Sequence, residues 1–309
     1  MFLDNNDLER ILGWNDGTRM AVRSEALASA TVQTHEFQHG RIFHETYDGH
    51  LHRLCCMAAG TSIDRRLGGI YTDTSRILFA QTRLAHEAAA TYLSIEGLLT
   101  RKIRKAEYAK HSKQYQIYYN ELDDLVGRVS KSSWVRFSFA WTFIHWCFHS
   151  PRFVEFFDNL IPTIDPLIDI PSPTDRFLEG KAILKSDGRL QDWVSDTISR
   201  ATRSYGERGY ELWDLNNEAH WNARSEKFEL KVLETELSHF GGDWLLSNMP
   251  FPTENYGFKR EDFGPGFDML MEELKLTPSH LYSGAGSILD DEYQAADLER
   301  RALVQLATS

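Results

Sequence analysis

All nine prolines of this 309-residue chain lie at or beyond Pro151. Proline removes a backbone donor and clashes with the preceding turn, so a half-chain without it can run as long helices. The apolar spacing of residues 1–150 suits that state. A helix is expected over about 24–47 with Ser24 as N-cap, bending or restarting at Gly49. Asp73 or Thr74 can cap a second long helix, "SRILFAQTRLAHEAAATYLSIEGLLTRKIRKA", and others should cover about 107–128 and 133–149. The stretch "IPTIDPLIDIPSPT" (161–174) packs four prolines into 14 residues and reads as a connector. Beyond it, 188–204 and 222–240 look helical and 241–266 loop-like, and "SGAGS" (283–287) precedes a final acidic helix. Nothing alternates as a strand for long. The expected fold is mainly α and bundle-like, with little or no β-sheet: a helical region over 1–160, the connector, and a mainly helical region over 175–309, in the same domain or a second one.

Charge narrows the function. With 45 acidic against 34 basic side chains the net charge is −11, which argues against a nucleic-acid partner. The Lys/Arg-rich run "RKIRKAEYAKHSK" (101–113) reads as a solvated helix face. Three cysteines, two of them adjacent, make a disulfide framework unexpected and point to a reducing, cytoplasmic setting. The first residues carry acid and no apolar core, so no secretory signal is expected. The most apolar run, 134–148, contains Arg136 and His145 and is too short to span a bilayer, so no membrane partner is expected.

Four of the twelve histidines fall within "THEFQHGRIFHETYDGH" (34–50). Its "HEFQH" (35–39) is the H-E-x-x-H pattern. On a helix His35 and His39 share a face and can aim their imidazoles at one ion. Glu36 sits about 100° round from His35, beside the ion, where it can take a proton from a water activated by the metal. The pattern also arises by chance, so its surroundings must decide. A catalytic zinc needs a third protein ligand and an open position. His44 is nine residues from His35, about 180° away on a continuing helix, and fails as that ligand.

The later segment "RLAHEAAATYLSIEG" (83–97), taken with "HEFQH", resembles the gluzincins, the thermolysin-like zinc metallopeptidases. In that family a glutamate on a later helix completes a His₂Glu zinc site. The resemblance covers roughly residues 31–97 and implies a zincin-type core with one Zn²⁺ per chain. It implies His35, His39 and Glu87 as metal ligands and Glu36 as general base. Ala88, Ala89 and Ala90 would let another helix come close. Thr91 stands where the family has an aspartate that orients a zinc-bound histidine. Only 34 residues precede the motif, too few for the family's multi-stranded cleft sheet.

Rivals for the third ligand are His86 and Glu96. Candidates for stabilising the transition state are Tyr47, Tyr92, Arg83, His145 and His149, with His220 a further histidine that could enter the cleft. "HWCFH" (145–149) repeats the i, i+4 pair inside a bulky aromatic run and reads as core. His239 reads as an ordinary polar residue, and the aromatic loop 244–258 as either a lid or core. A di-iron bundle would use two Glu-x-x-His pairs and two further glutamates. Glu36 and His39 are read as a lone pair, which leaves that use the weaker one. The expected activity is zinc-dependent hydrolysis of a peptide bond in a protein or peptide substrate, with a protein regulator as a further partner. The competing class is a non-enzymatic helical scaffold built on a degenerate zincin core.

Overall fold

The computed structural model describes residues 13–15, 20–22, 30–62, 64–97, 101–208, 228–251, 253 and 264–275. The fold is mainly helical. Two three-residue strands, β1 (Gly13–Asn15) and β2 (Met20–Val22), form an antiparallel hairpin with Trp14 opposite Ala21. The hairpin lies against α1 (Ala30–Glu45), and α2 (Tyr47–Thr61) follows directly.

The break between these helices falls at Thr46, earlier than the expected restart at Gly49. Thr46 is extended (φ −130°, ψ 154°), and its hydroxyl accepts from Gly49 N at 3.2 Å while donating to Ile42 O at 2.7 Å. One side chain thus closes α1 and caps α2. Glycine is needed at 49 because a Cβ there would collide with the Ile42 carbonyl.

The long helix α3 (Arg65–Glu96) also begins earlier than Asp73 or Thr74. Asp64 Oδ1 accepts from the amides of Arg66 (2.7 Å) and Leu67 (3.2 Å), which supplies the N-cap. The helix expected over 75–106 ends with α3 at Glu96; α4 (Arg101–Lys110) straddles its expected end, α5 (Lys113–Val126) falls within the expected 107–128, and α6 (Ser133–Cys147) falls within its expected range. The short α7 (Arg152–Phe156) precedes the proline-rich connector, and α8 (Asp165–Asp169) lies within it. Next come α9 (Pro173–Lys185), α10 (Arg189–Glu207), α11 (Phe228–Asn248) and α12 (Pro265–Glu273). Ser172 and Asp175 form a reciprocal capping box at the start of α9, with Pro173 in its first turn.

α11 corrects one expectation. Residues 241–248 are helical, and Gly241 and Gly242 lie inside the helix rather than ending it. Packing outweighs propensity here. A Cβ on Gly241 would stand 3.2 Å from Thr142 Cγ2 and 3.4 Å from Thr197 Cγ2, and Trp193 Nε1 donates to the Gly241 carbonyl at 3.0 Å.

The chain divides into two compact units, each assembled from segments far apart in sequence. The first holds the hairpin, α1, α2, α3 up to Ala80, α7, α8 and α12. Its core places Tyr47, Leu51, Leu54 and Ala58 of α2, at helical spacing, with Phe153, Phe156, Phe157 and Phe267. A fully buried ion pair, Arg152 Nη1 to Asp48 Oδ1 at 3.2 Å, lies in this unit. The second holds α3 from Gln81, α4, α5, α6, α9, α10 and α11. Phe139, Phe143, Trp146, Phe177 and Trp193 are buried there. Fully buried Arg176 lies over the Trp146 ring at 4.7 Å and donates to Trp146 O at 2.8 Å and Thr253 Oγ1 at 2.7 Å. No described helix is long and apolar enough to cross a membrane.

Candidate metal centre

α1 buries polar groups before it buries apolar ones. Thr31, His35, Glu36, Gln38 and His39 are all buried, and only then do Ile42 and Phe43 follow on the same helix. A helix usually turns its apolar stripe inward. Two inward turns of histidine, glutamate and glutamine carry a desolvation cost that packing alone does not explain.

The two histidines meet. His39 Nε2 and His35 Nε2 are 3.0 Å apart, with ring centroids at 4.6 Å and planes at 89°. Two nitrogens each about 2.0–2.1 Å from one zinc would be roughly 3.0–3.4 Å apart at angles near 95–110°. The spacing therefore suits two ligands of one ion. Glu36, 5% exposed, follows His35 on the same buried surface.

On α3, Ala88, Ala89 and Ala90 are fully buried around half-buried Glu87. His35, His39 and Glu87 are each of a residue type that zinc takes as a ligand. Two imidazoles and one carboxylate make up the donor set of a catalytic zinc with an open fourth position, so the residues fit that ion.

The rest of the histidine-rich stretch leaves this face, as the helical angle predicts. Glu45 forms a two-pronged ion pair with Arg41, both contacts at 3.1 Å. His44 Nδ1 lies 2.6 Å from Arg53 Nη1. Burial first, then the Arg53 charge, lowers the His44 pKa to about 4, against the pull of Glu45. Burial and the same arginine hold His50 well below the ordinary histidine value. Arg53 is itself lowered to about 10 by burial. No sequence signal links Arg53 to these histidines, because the pairing depends on how α1 and α2 turn at Thr46.

Tyr47 lies in the apolar core, edge-on to Phe153 at 5.7 Å. His86, one residue before Glu87, is half-buried with its ring 5.7 Å from Phe148. Arg83 is exposed. Thr91 is fully buried, and its hydroxyl has no hydrogen-bond partner among the described residues. Tyr92 is fully buried beside Tyr119, with ring centroids 5.0 Å apart, and burial lifts its phenol well above the ordinary value. His149, 2% exposed, has Nδ1 2.8 Å from His145 O, the two rings lying 3.9 Å apart. Glu96 is committed to Arg136 and Tyr119, at 2.6 Å and 2.8 Å. His220 lies outside the described residues, as does most of the aromatic loop 244–258.

One reading of the sequence needs correction. Glu36 and His39 are not a lone Glu-x-x-His pair: Glu236 and His239 on α11 form another. Its members are used separately. Glu236 is buried against Arg208 at 2.6 Å, while the His239 side chain is 61% exposed and 3.8 Å from Asp243. That arrangement does not present both groups to one ion.

The chain was compared with protein-family models, with curated proteins and with solved structures, and matches none of them.

Proposed function

We propose that this protein is a zinc-dependent peptidase of gluzincin-like design. His35, His39 and Glu87 would hold the ion, and Glu36 would act as general base. The observation that carries the reading is the buried His35–His39 pair, with its two Nε2 atoms 3.0 Å apart; Glu87 enters as the third ligand by the likeness of its helix to the glutamate-bearing helix of the gluzincins. A zinc held there supplies a Lewis acid that acidifies water and polarises a carbonyl.

The chain's own groups do the rest. His35 and His39 leave α1 one turn apart and would hold the ion from one helix face. Glu36 takes a proton from the attacking water as its oxygen bonds to the scissile carbonyl carbon. Glu36 then delivers that proton to the amide nitrogen as the C–N bond breaks, and the second water proton passes from the new carboxyl group to the amine, leaving a carboxylate and an ammonium group. Its burial keeps bulk water from competing for the proton. A substrate of this kind is a protein or peptide.

The test pairs two substitutions. His35→Ala should lose the metal and hydrolysis together, while Glu36→Gln should keep metal and fold but lose hydrolysis by about 10²-fold or more. A fully active Glu36→Gln protein would refute the assigned base.

A further inference from the structure

Within the second unit, α3, α4, α5 and the turn before α6 enclose a cleft of about 990 Å³ lined mainly by charged and aromatic groups. That volume is at the upper end of small-molecule sites, about 300–1,000 Å³. Glu96, 4% exposed, anchors the floor. Its carboxylate accepts from Arg136 Nε and Nη2 at 3.1 and 2.6 Å and from the Tyr119 hydroxyl at 2.8 Å. Arg104 stands 3.9 Å away. Arg136 Nη1 donates to the carbonyls of Ser130 and Lys131, at 2.9 Å each, which ties the turn before α6 to the floor. The floor is a pre-organised network whose charges answer one another.

The rim differs. Lys105, Arg128 and Lys131 are exposed and line the same cleft. Among the described residues, neither Lys105 nor Arg128 has an ion-pair partner. Five cationic side chains thus face two carboxylates, Glu96 and Asp123, on a chain whose net charge is −11. Burial, then the neighbouring Glu96, raises the Asp123 pKa above the ordinary value, which eases its neutralisation. Tyr108 supplies an aromatic wall, its ring 5.1 Å from that of Tyr119 and its hydroxyl 3.2 Å from Asn120 Oδ1.

We propose that this cleft binds a nucleotide-class anion, with its phosphates on Lys105, Arg128 and Lys131 and its base against Tyr108. Three rim cations match more than a single negative charge, and guanidinium and ammonium groups are the usual partners of phosphate oxygens. An aromatic wall beside them suits a ligand that carries a flat ring. Glu96 lies nine residues beyond Glu87 on α3, roughly 13 Å along the helix axis, so this site does not share the proposed metal ligands.

Calorimetric titration of the full chain in magnesium-free buffer tests the assignment, with ADP, pyrophosphate and adenosine as separate probes. Saturable binding of one ADP per chain is expected at sub-millimolar Kd, with pyrophosphate and adenosine each weaker by about tenfold or more. Arg128→Glu with Lys131→Glu should weaken ADP by about tenfold or more, Arg128→Gln by less, and Tyr108→Ala should weaken ADP but not pyrophosphate. His35→Ala should bind ADP as the unmodified chain does. The proposal is overturned if ADP fails to bind at millimolar concentration, or if the rim reversals leave its affinity unchanged. It is overturned equally if pyrophosphate binds as tightly as ADP, or if His35→Ala abolishes ADP binding.

Discussion

The Nε2 atoms of His35 and His39 stand 3.0 Å apart on a buried face of α1. In water-exposed histidines such a pairing gains little, and both rings would charge near the ordinary pKa of about 6.5. Burial makes two facing imidazole nitrogens costly unless a proton or an ion lies between them, and the proposed zinc would meet that need.

The acid limb of stability should come from the other side of α1. His44 titrates at about 4 when folded, and His50 also lies well below its ordinary value. The unfolded chain therefore binds more protons than the folded one between about pH 6.5 and pH 4. Their contribution is fully present above the unfolded pKa and is lost as pH falls through that window. Thermal melts from pH 7.5 to pH 4.5 should show Tm falling with pH. His44→Gln should flatten part of the slope. A Tm independent of pH across this range would contradict the burial of these rings beside Arg53.

Arg152 and Asp48 are 104 residues apart in sequence and fully buried in contact. Removing one partner leaves an uncompensated charge, so Asp48→Asn or Arg152→Met should each destabilise by about 3–5 kcal/mol. The double variant should recover part of that loss. Urea titration of the set measures it, and additive losses would show the two groups to be uncoupled.

A Cβ at Gly180 would sit 2.8 Å from Trp146 Cζ3 and 3.2 Å from Phe143 Cε2. Both rings are buried, so neither can swing into solvent. Gly180→Ala should cost about 1–3 kcal/mol by overpacking, although alanine favours helix on an open surface. A neutral result in urea titration would mean that the rings have room to shift.

What the sequence made legible is what local rules govern. α6 follows from the proline-free aromatic run, and α10 from its amphipathic spacing, because both depend on residues three and four apart. The same locality makes the His35–His39 pair readable, and it excludes His44 by angle alone. Starts and breaks were harder. Thr46 and Asp64 set the ends of α1 and α3 through side-chain hydrogen bonds that many polar residues could make. Gly241 reads as a helix stop, yet it serves close packing against Thr142 and Thr197, neither of which is near it in sequence. Glu96 has the same history: its partners Tyr119 and Arg136 lie 23 and 40 residues on, so the cleft it anchors leaves no contiguous motif.

Metal content measures the central claim most directly. The purified chain, dialysed against metal-free buffer and analysed by plasma mass spectrometry, should retain about one zinc per molecule. His39→Ala and Glu87→Ala should each cut that sharply while keeping the helical circular-dichroism spectrum, and Glu36→Gln should keep it. A chain that takes up no zinc when supplied with it, or one that holds zinc equally well without His39 and Glu87, would contradict the account.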